Sequence, residues 1–151
     1  MSSRLTSSQF MHLLPATVRE QLPRPLQKFK AAPRGWLCQL YFRDPRLHYE
    51  VWNMGERRGV LEIGLHFESR DRVVNERLLR GFFDHMIGIK VALGTQWEAE
   101  YWDKGWTKVY ETIPYEPFST DLLERVGKRL GRAMMVLTPI LDDVQKAKAD
   151  F

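Results

Sequence analysis

Apolar and polar residues alternate along the segment 60–68, which reads VLEIGLHFE. Leu61, Ile63, Leu65 and Phe67 fall on one side of an extended chain, and the residues between them fall on the other side. A period of two residues is typical of a strand that buries one face. The segment is therefore predicted to be a strand with one apolar and one polar face.

A helical pattern follows this strand. Apolar residues recur every three or four positions from Val74 to Leu93, and Gly94 stands where a glycine commonly ends a helix. The spacing predicts one long helix with a single apolar stripe. The strand and the helix would each cover the apolar surface of the other, which is the basis of a two-layer domain.

The same two patterns predict the remaining elements. A capping box predicts a short helix over about residues 7–14, and Pro15 is expected either to interrupt it or to start a second helix. Apolar spacing predicts a last helix over about 120–141, with a kink or a new start at Pro139. Alternation predicts four more strands, over residues 36–42, 47–52, 95–102 and 106–115.

The predicted fold class is α+β. We expect a two-layer, mainly antiparallel five-stranded sheet with helices on one face, in the order α-βββ-α-ββ-α. The chain has 151 residues, which suits a single domain over residues 1–151. Within it, residues 1–30 form an N-terminal helical segment, residues 31–35 form a linker, and residues 36–151 form the α+β core.

Composition narrows the classes of protein. The net charge is +4, which permits a nucleic-acid partner without requiring one. Cys38 is the only cysteine, so an intrachain disulfide and a site with two thiolates are excluded. No apolar run is long enough to span a membrane, and the first residues lack the apolar core of a secretory signal. We therefore expect a cytoplasmic protein with no membrane contact and no cofactor.

The sheet face away from the helices carries large aromatic residues among charged ones. Tyr41, Trp52, Trp102 and Tyr110 fall on this face by alternation. Exposed aromatic residues of this kind are typical of interfaces, so we interpret these four as a surface for a protein partner or for a second copy in a homodimer. The alternative is a solvated face whose aromatic residues are covered by the N-terminal segment.

The same face carries a possible metal site. His48 and Glu50 lie on one predicted strand, and Glu62, His66 and Glu68 lie on the next. Two histidines and a carboxylate can hold a divalent metal. Ordinary polar pairing across the strands is the alternative, because the long loop between the strands leaves their register open.

Basic residues suggest a possible nucleic-acid surface. They form one pair in a predicted hairpin loop and one group at the start of the central helix: Arg57, Arg58, Arg70, Arg72, Arg77 and Arg80. There is no glycine-rich phosphate loop and no zinc-finger spacing. Glu98 and Glu100 alternate on a strand, but no lysine follows where a restriction-type nuclease would need one.

The pattern over residues 47–141 resembles a prokaryotic domain of unknown function that occurs alone or attached to restriction-endonuclease-like domains. The similarity rests on the strand motif LEIGLHFE and on residues that follow it at matching intervals, namely Asn75, Phe82, Phe83, Leu93, Gly94, Trp97 and Glu98. The resemblance implies an accessory or interaction module and assigns no catalytic residue. The order of elements is also similar to the secretion-chaperone-like fold, whose members dimerise and hold partner segments.

These observations favour a non-catalytic interaction or adaptor domain that associates with itself and, by the resemblance, is accessory to a prokaryotic defence nuclease. One alternative is a nucleic-acid-binding accessory domain that uses the six arginines. The other is a metal-dependent enzyme built on His48, Glu50, Glu62 and His66.

Overall fold

A computed structural model describes residues 1–149 and shows an α+β fold. The helices are α1 (Ser7–Arg19), α2 (Arg72–Phe83), α3 (Met86–Leu93) and α4 (Thr120–Ala149). The strands are β1 (Lys30–Pro33), β2 (Leu37–Tyr41), β3 (Leu47–Asn53), β4 (Val60–Phe67), β5 (Glu98–Tyr101) and β6 (Thr107–Pro114). A single turn of 3-10 helix, Arg24–Leu26, lies between α1 and β1.

The six strands form one open antiparallel sheet in the order β1-β2-β3-β4-β6-β5. The first four strands are joined in sequence, and the hairpin of β5 and β6 returns after α3 to place β6 beside β4. The predicted α+β class with an antiparallel sheet is confirmed, with one more strand than the five predicted. The additional strand is β1, which includes part of the predicted linker 31–35 and lies at an edge where Pro33 is tolerated.

The helices pack on one face of the sheet and enclose the apolar core. Leu61, Ile63, Leu65 and Phe67 of β4 are fully buried, as the alternation predicts, and Phe82 of α2 packs against Phe67. Within residues 1–149, no helix is apolar over a stretch that could cross a bilayer.

The predicted long central helix is wrong in one respect, because the structure divides it into α2 and α3 at Asp84 and His85. The N–H of His85 donates to the carbonyl of Phe82 at 3.0 Å in a tight turn that ends α2. Asp and His are weak helix formers, so the break falls where helical propensity is lowest. The interruptions predicted at Pro15 and Pro139 do not end a helix, since α1 and α4 both continue through their prolines.

Candidate metal centre

The strand register brings several charged side chains together on the face away from the helices. His48 of β3 lies directly opposite His66 of β4, and His66 lies opposite Lys108 of β6. Glu50 lies opposite Gly64, and Glu62 is placed one step along the same face. The two imidazole rings stack with centroids 5.6 Å apart. The pairing that the sequence left open is therefore one in which the histidines meet each other.

These side chains are buried although they are polar. The exposed fraction is 2% for His48, 5% for Glu50, 1% for Glu62 and 0% for His66. Burial of charged groups is expensive unless each has partners or a bound ion. The burial of these four side chains therefore has to be explained, because an ordinary solvated sheet face would leave them in water.

Tryptophan side chains cover the cluster. The ring of Trp102 lies 5.4 Å from that of His66 and contacts the rings of Trp52 and Trp106 on either side. Trp102 and Trp106 flank the turn between β5 and β6. The ammonium of Lys108 lies over the Trp102 ring at 5.2 Å, so the indole also faces a cation of the cluster.

Asn75 holds the turn that carries these tryptophans. This fully buried residue of α2 donates from its side chain to the carbonyls of Ser69 and Gly105, at 2.9 and 3.1 Å. Its side-chain oxygen accepts from the N–H of Ser69, and its backbone carbonyl accepts from the Thr107 hydroxyl. One asparagine thus links the end of β4, the start of α2 and the β5–β6 turn.

His48 presents a free nitrogen to the cluster. Its Nδ1 lies 2.8 Å from the carbonyl of Pro45, which can only accept, so Nδ1 carries the proton and donates. The Nε2 atom is buried and has no hydrogen-bond partner among the described residues. It lies 3.3 Å from Glu50 Oε1 and 3.7 Å from Glu68 Oε2. In its neutral form, an imidazole in this tautomer offers its Nε2 lone pair to a cation.

His66 is held by a glutamate at each ring nitrogen. Nε2 lies 2.6 Å from Glu62 Oε1, and Nδ1 lies 3.0 Å from Glu68 Oε2. Burial acts to lower the pKa of His66, but these two hydrogen bonds and the charges of Glu50 and Glu62 outweigh it and raise the pKa to about 9. In the absence of a metal, His66 is therefore a cation at neutral pH.

Glu62 and Glu50 are held as carboxylates. The other oxygen of Glu62 accepts from the Lys108 ammonium at 2.7 Å. Burial acts to raise the pKa of Glu62, but His66 and Lys108 outweigh it and leave the pKa below its usual value. The pKa of Glu50 is also lowered, because the imidazoles of His48 and His66 and the Gln39 amide outweigh the effect of burial.

Four residues offer ligand atoms at metal-binding separations. One atom from each of His48, Glu50, His66 and Glu68 can be chosen so that all four lie within 4.8 Å of one another. Three of these were predicted as ligands. Glu68 takes the place that the prediction gave to Glu62, whose two oxygens are already occupied by His66 and Lys108.

The predicted interface residues do not form a flat exposed surface. Trp52 and Trp102 contact each other above the cluster, and Tyr110 lies over the Lys108 ammonium and donates to Glu100. Tyr41 lies at the end of β2 away from Leu37, which pairs with Trp52. The antiparallel register continues past Leu40 and Tyr49 and brings Tyr41 beside His48. All four are half-buried. The structure thus assembles three of them on one side of the charged cluster and places Tyr41 on the other side, next to His48.

The six arginines lie in two separate places. Arg57 and Arg58 are exposed in the loop before β4, whereas Arg70 and the three arginines of α2 follow the end of β4. A strand of this length separates the groups by about 25 Å. Arg80 pairs with Glu76 on the same helix, and the Arg72 side chain lies against the Gly105 turn. The arginines therefore do not form one continuous basic surface.

Cys38 points into the apolar core on the opposite side of the sheet from the cluster. It is fully buried, and this burial raises the pKa of its thiol to about 12. A thiol so rarely ionised is a poor nucleophile and a poor metal ligand.

No protein-family model, curated protein or solved structure matches this chain. The resemblance to the prokaryotic accessory domain therefore stays a prediction. What this chain does has to be argued from its own residues.

Proposed function

We propose that this protein binds one divalent transition-metal ion through His48, Glu50, His66 and Glu68. The observation that carries the proposal is the buried, unpartnered Nε2 of His48, which faces two carboxylates. A buried polar atom without a partner is rare in proteins and costs about 1–3 kcal/mol. A metal ion bound at this atom would remove that cost.

The distances support a metal of ordinary size. Ligands that surround a tetrahedral ion at about 2.0–2.1 Å lie about 3.3 Å from one another. The Nε2 atom of His48 lies 3.3 Å from Glu50 Oε1 and 3.7 Å from Glu68 Oε2. Glu50 Oε2 lies 3.8 Å from Nε2 of His66. Small movements of side chains, without movement of the sheet, would complete the coordination.

The charges also favour a cation. Three carboxylates, those of Glu50, Glu62 and Glu68, face Lys108 and a protonated His66. Unless His48 is protonated as well, the metal-free cluster has one negative charge in excess in a buried place, where an unbalanced charge is costly. Whichever nitrogen of His66 binds the ion, a glutamate remains to hold the other one.

The ligands indicate the class of metal and the role of the ion. Two imidazole nitrogens and two carboxylate oxygens suit zinc, manganese, cobalt or ferrous iron. Catalytic sites keep a coordination position open to substrate, whereas structural sites are closed. This cluster is buried beneath Trp102, so we propose a structural ion that joins β3 to β4 in a non-catalytic protein.

Metal analysis of the purified chain tests this proposal. After treatment with a chelator and titration with zinc, manganese and cobalt, we expect one ion per chain and a higher unfolding temperature. A ligand that binds only the folded state contributes about 2.7 kcal/mol at a concentration one hundred times its dissociation constant. His48→Gln should lose the ion, because its amide has no imidazole lone pair.

The matched control is His12→Gln, which changes an exposed histidine on α1. It should bind the metal as the unchanged chain does. The proposal fails if none of the three metals binds or raises the unfolding temperature. It also fails if His48→Gln and His12→Gln bind equally well.

We propose self-association as a second function, carried by the exposed side of α3. The exposed fractions are 84% for Ile87 and 83% for Val91, and Phe83 at the end of α2 is 51% exposed. The one charged residue of α3, Lys90, donates to the carbonyls of Thr95 and Trp97. The outer side of this helix is therefore apolar and uncharged, as homodimer interfaces are.

Light scattering over a range of concentrations tests this second function. We expect the mass of a dimer for the unchanged chain and of a monomer for Ile87→Asp. Val73→Asp is the control, because Val73 is an exposed apolar residue in the first turn of α2, where an acid is well tolerated. A monomeric mass for the unchanged chain at high concentration would remove self-association and leave the metal proposal intact.

A further inference from the structure

A narrow cavity lies on the helical side of the sheet, away from the metal centre. Its volume is about 90 Å³, and it is lined by Leu93 at the end of α3, Trp97, Glu111 of β6, and Arg129 and Arg132 of α4. This volume exceeds the roughly 10–15 Å³ that one enclosed water molecule needs. It suits a head group of the size of a carboxylate or a phosphate.

Trp97 lines this cavity, and its indole nitrogen is a hydrogen-bond donor that is not in use among the described residues. The residue is 1% exposed, and its indole Nε1 is buried with no acceptor among the described residues. Buried tryptophan nitrogens usually have a partner, and the indole N–H can only donate. The group that would satisfy it has to be an acceptor.

The acidic residue in the cavity is already neutralised. Glu111 accepts from Arg129 through both of its oxygens, at 3.1 and 2.5 Å, and from the Gln96 amide at 2.9 Å. Arg132 has no carboxylate within salt-bridge distance in residues 1–149. The cavity therefore has one positive charge in excess together with the free donor of Trp97.

A wider groove adjoins the cavity at Arg129, which lines both. The groove has a volume of about 620 Å³. Ligand pockets for small molecules measure about 300–1,000 Å³. Thr112 and Ile113 of β6 line one side, beyond the point where β5 stops pairing, and Arg125 and Lys128 of α4 line the other.

We propose that the cavity and the groove together bind a small organic anion. Its carboxylate or phosphate head accepts from the Trp97 indole and pairs with Arg132, and its body lies in the groove along α4. The cavity that holds the head group is on the opposite face of the sheet from His48 and Glu50, so it is separate from the proposed metal site.

Nuclear magnetic resonance of the full chain tests this proposal through the indole N–H signals. The probes are phenyl phosphate and phenylacetate, which distinguish the two head groups, and benzyl alcohol serves as the uncharged comparison. We expect one or both anions to shift the Trp97 indole signal, which is identified by its loss in Trp97→Phe. Benzyl alcohol should leave that signal unchanged.

Two variants locate the site, and a third is the control; their anion affinities are measured by isothermal titration calorimetry, because Trp97→Phe lacks the indole signal. Trp97→Phe removes the donor, and Arg132→Gln removes the charge. A hydrogen bond to a charged group is worth about 1.5–3 kcal/mol, so each variant should weaken anion binding about tenfold or more. Arg57→Gln changes an exposed arginine in the loop before β4 and should bind as the unchanged chain does.

The proposal is overturned if neither anion shifts the Trp97 signal at tens of millimolar. It is also overturned if Trp97→Phe and Arg132→Gln bind both anions as tightly as Arg57→Gln. His48→Gln, which removes a proposed metal ligand, should keep its anion affinity. The anion proposal and the metal proposal can therefore fail separately.

Discussion

His66 is the side chain on which the charged cluster depends. It is fully buried, and each of its ring nitrogens lies within hydrogen-bond distance of a glutamate. An imidazolium in this position balances carboxylates that could not otherwise remain charged away from water. Metal binding and protonation therefore compete for the same residue, since a ligand nitrogen has to be unprotonated.

We predict that the stability of the metal-free protein falls as the pH rises from 6.5 to 9. The pKa of His66 is raised from 6.5 to about 9 in the folded state, so its contribution is complete below pH 6.5 and is lost as the pH passes 9. The pKa values of Glu50 and Glu62 are lowered from 4.5 in the folded state. The stability that these two carboxylates contribute is therefore complete above pH 4.5 and is lost in more acidic solution. Stability should be highest between these limits.

Urea unfolding in the presence of a chelator measures this effect. The loss between pH 6.5 and 9 should be about 3 kcal/mol at most, by the relation between a pKa shift and free energy. His66→Gln should flatten the profile over this interval, whatever its overall stability. A flat profile for the unchanged chain would show that His66 is not held as a cation.

Strand alternation is enough to place His48, Glu50, Glu62 and His66 on one face, because the side-chain period of a strand is fixed. It also places Glu68 on this face, although Glu68 lies one residue beyond the end of β4, but it does not show that Glu68 rather than Glu62 has oxygens free for a metal. Nor does it show that the cluster is buried. The burial depends on Trp102 and Trp106, which flank the turn between β5 and β6 and are distant in sequence from β3.

β4 is the element around which both faces are built. It pairs with β6 along its whole length and with β3 from Leu61 to Phe67, and it is buried over that same range. Gly64 lies in the middle, where neighbouring strands approach it closely. A Cβ atom there would lie 2.7 Å from the Cβ of Tyr110 and 2.8 Å from the carbonyl oxygen of Val109. These are positions on an adjacent strand that cannot move independently.

We predict opposite effects for two glycine-to-alanine changes. Gly64→Ala should destabilise the protein by about 1–3 kcal/mol, as overpacking does. Gly88→Ala in α3 should stabilise it by about 0.5–1 kcal/mol, because a Cβ there has no atom within 4 Å and alanine favours a helix. Urea unfolding at low protein concentration measures both. A neutral Gly64→Ala would mean that β4 and β6 are less closely packed than the structure shows.

Most elements follow from the sequence, and the exceptions have physical causes. β1 has the composition of a linker, because alanine and proline are poor strand formers. It is a strand only because it pairs at the edge of the sheet. Pro15 was expected to break α1, but it is buried in the packing of that helix. Tertiary contacts of this kind cannot be read from local spacing.

The two faces of the sheet have different contents and different proposed roles. The helical face holds the apolar core and, at its margin, the anion cavity beside Trp97. The other face holds the histidines and glutamates beneath Trp102. A metal on that face would link β3, β4 and the loop after β4. We therefore expect it to stabilise the protein as a whole.

Anomalous X-ray diffraction from a crystal of the intact chain grown with zinc would decide the metal proposal. We predict one strong anomalous peak between His48 and His66, about 2.0–2.2 Å from the Nε2 atom of His48 and from oxygens of Glu50 and Glu68. A crystal without a peak there, or with peaks only at surface histidines such as His12, would contradict it.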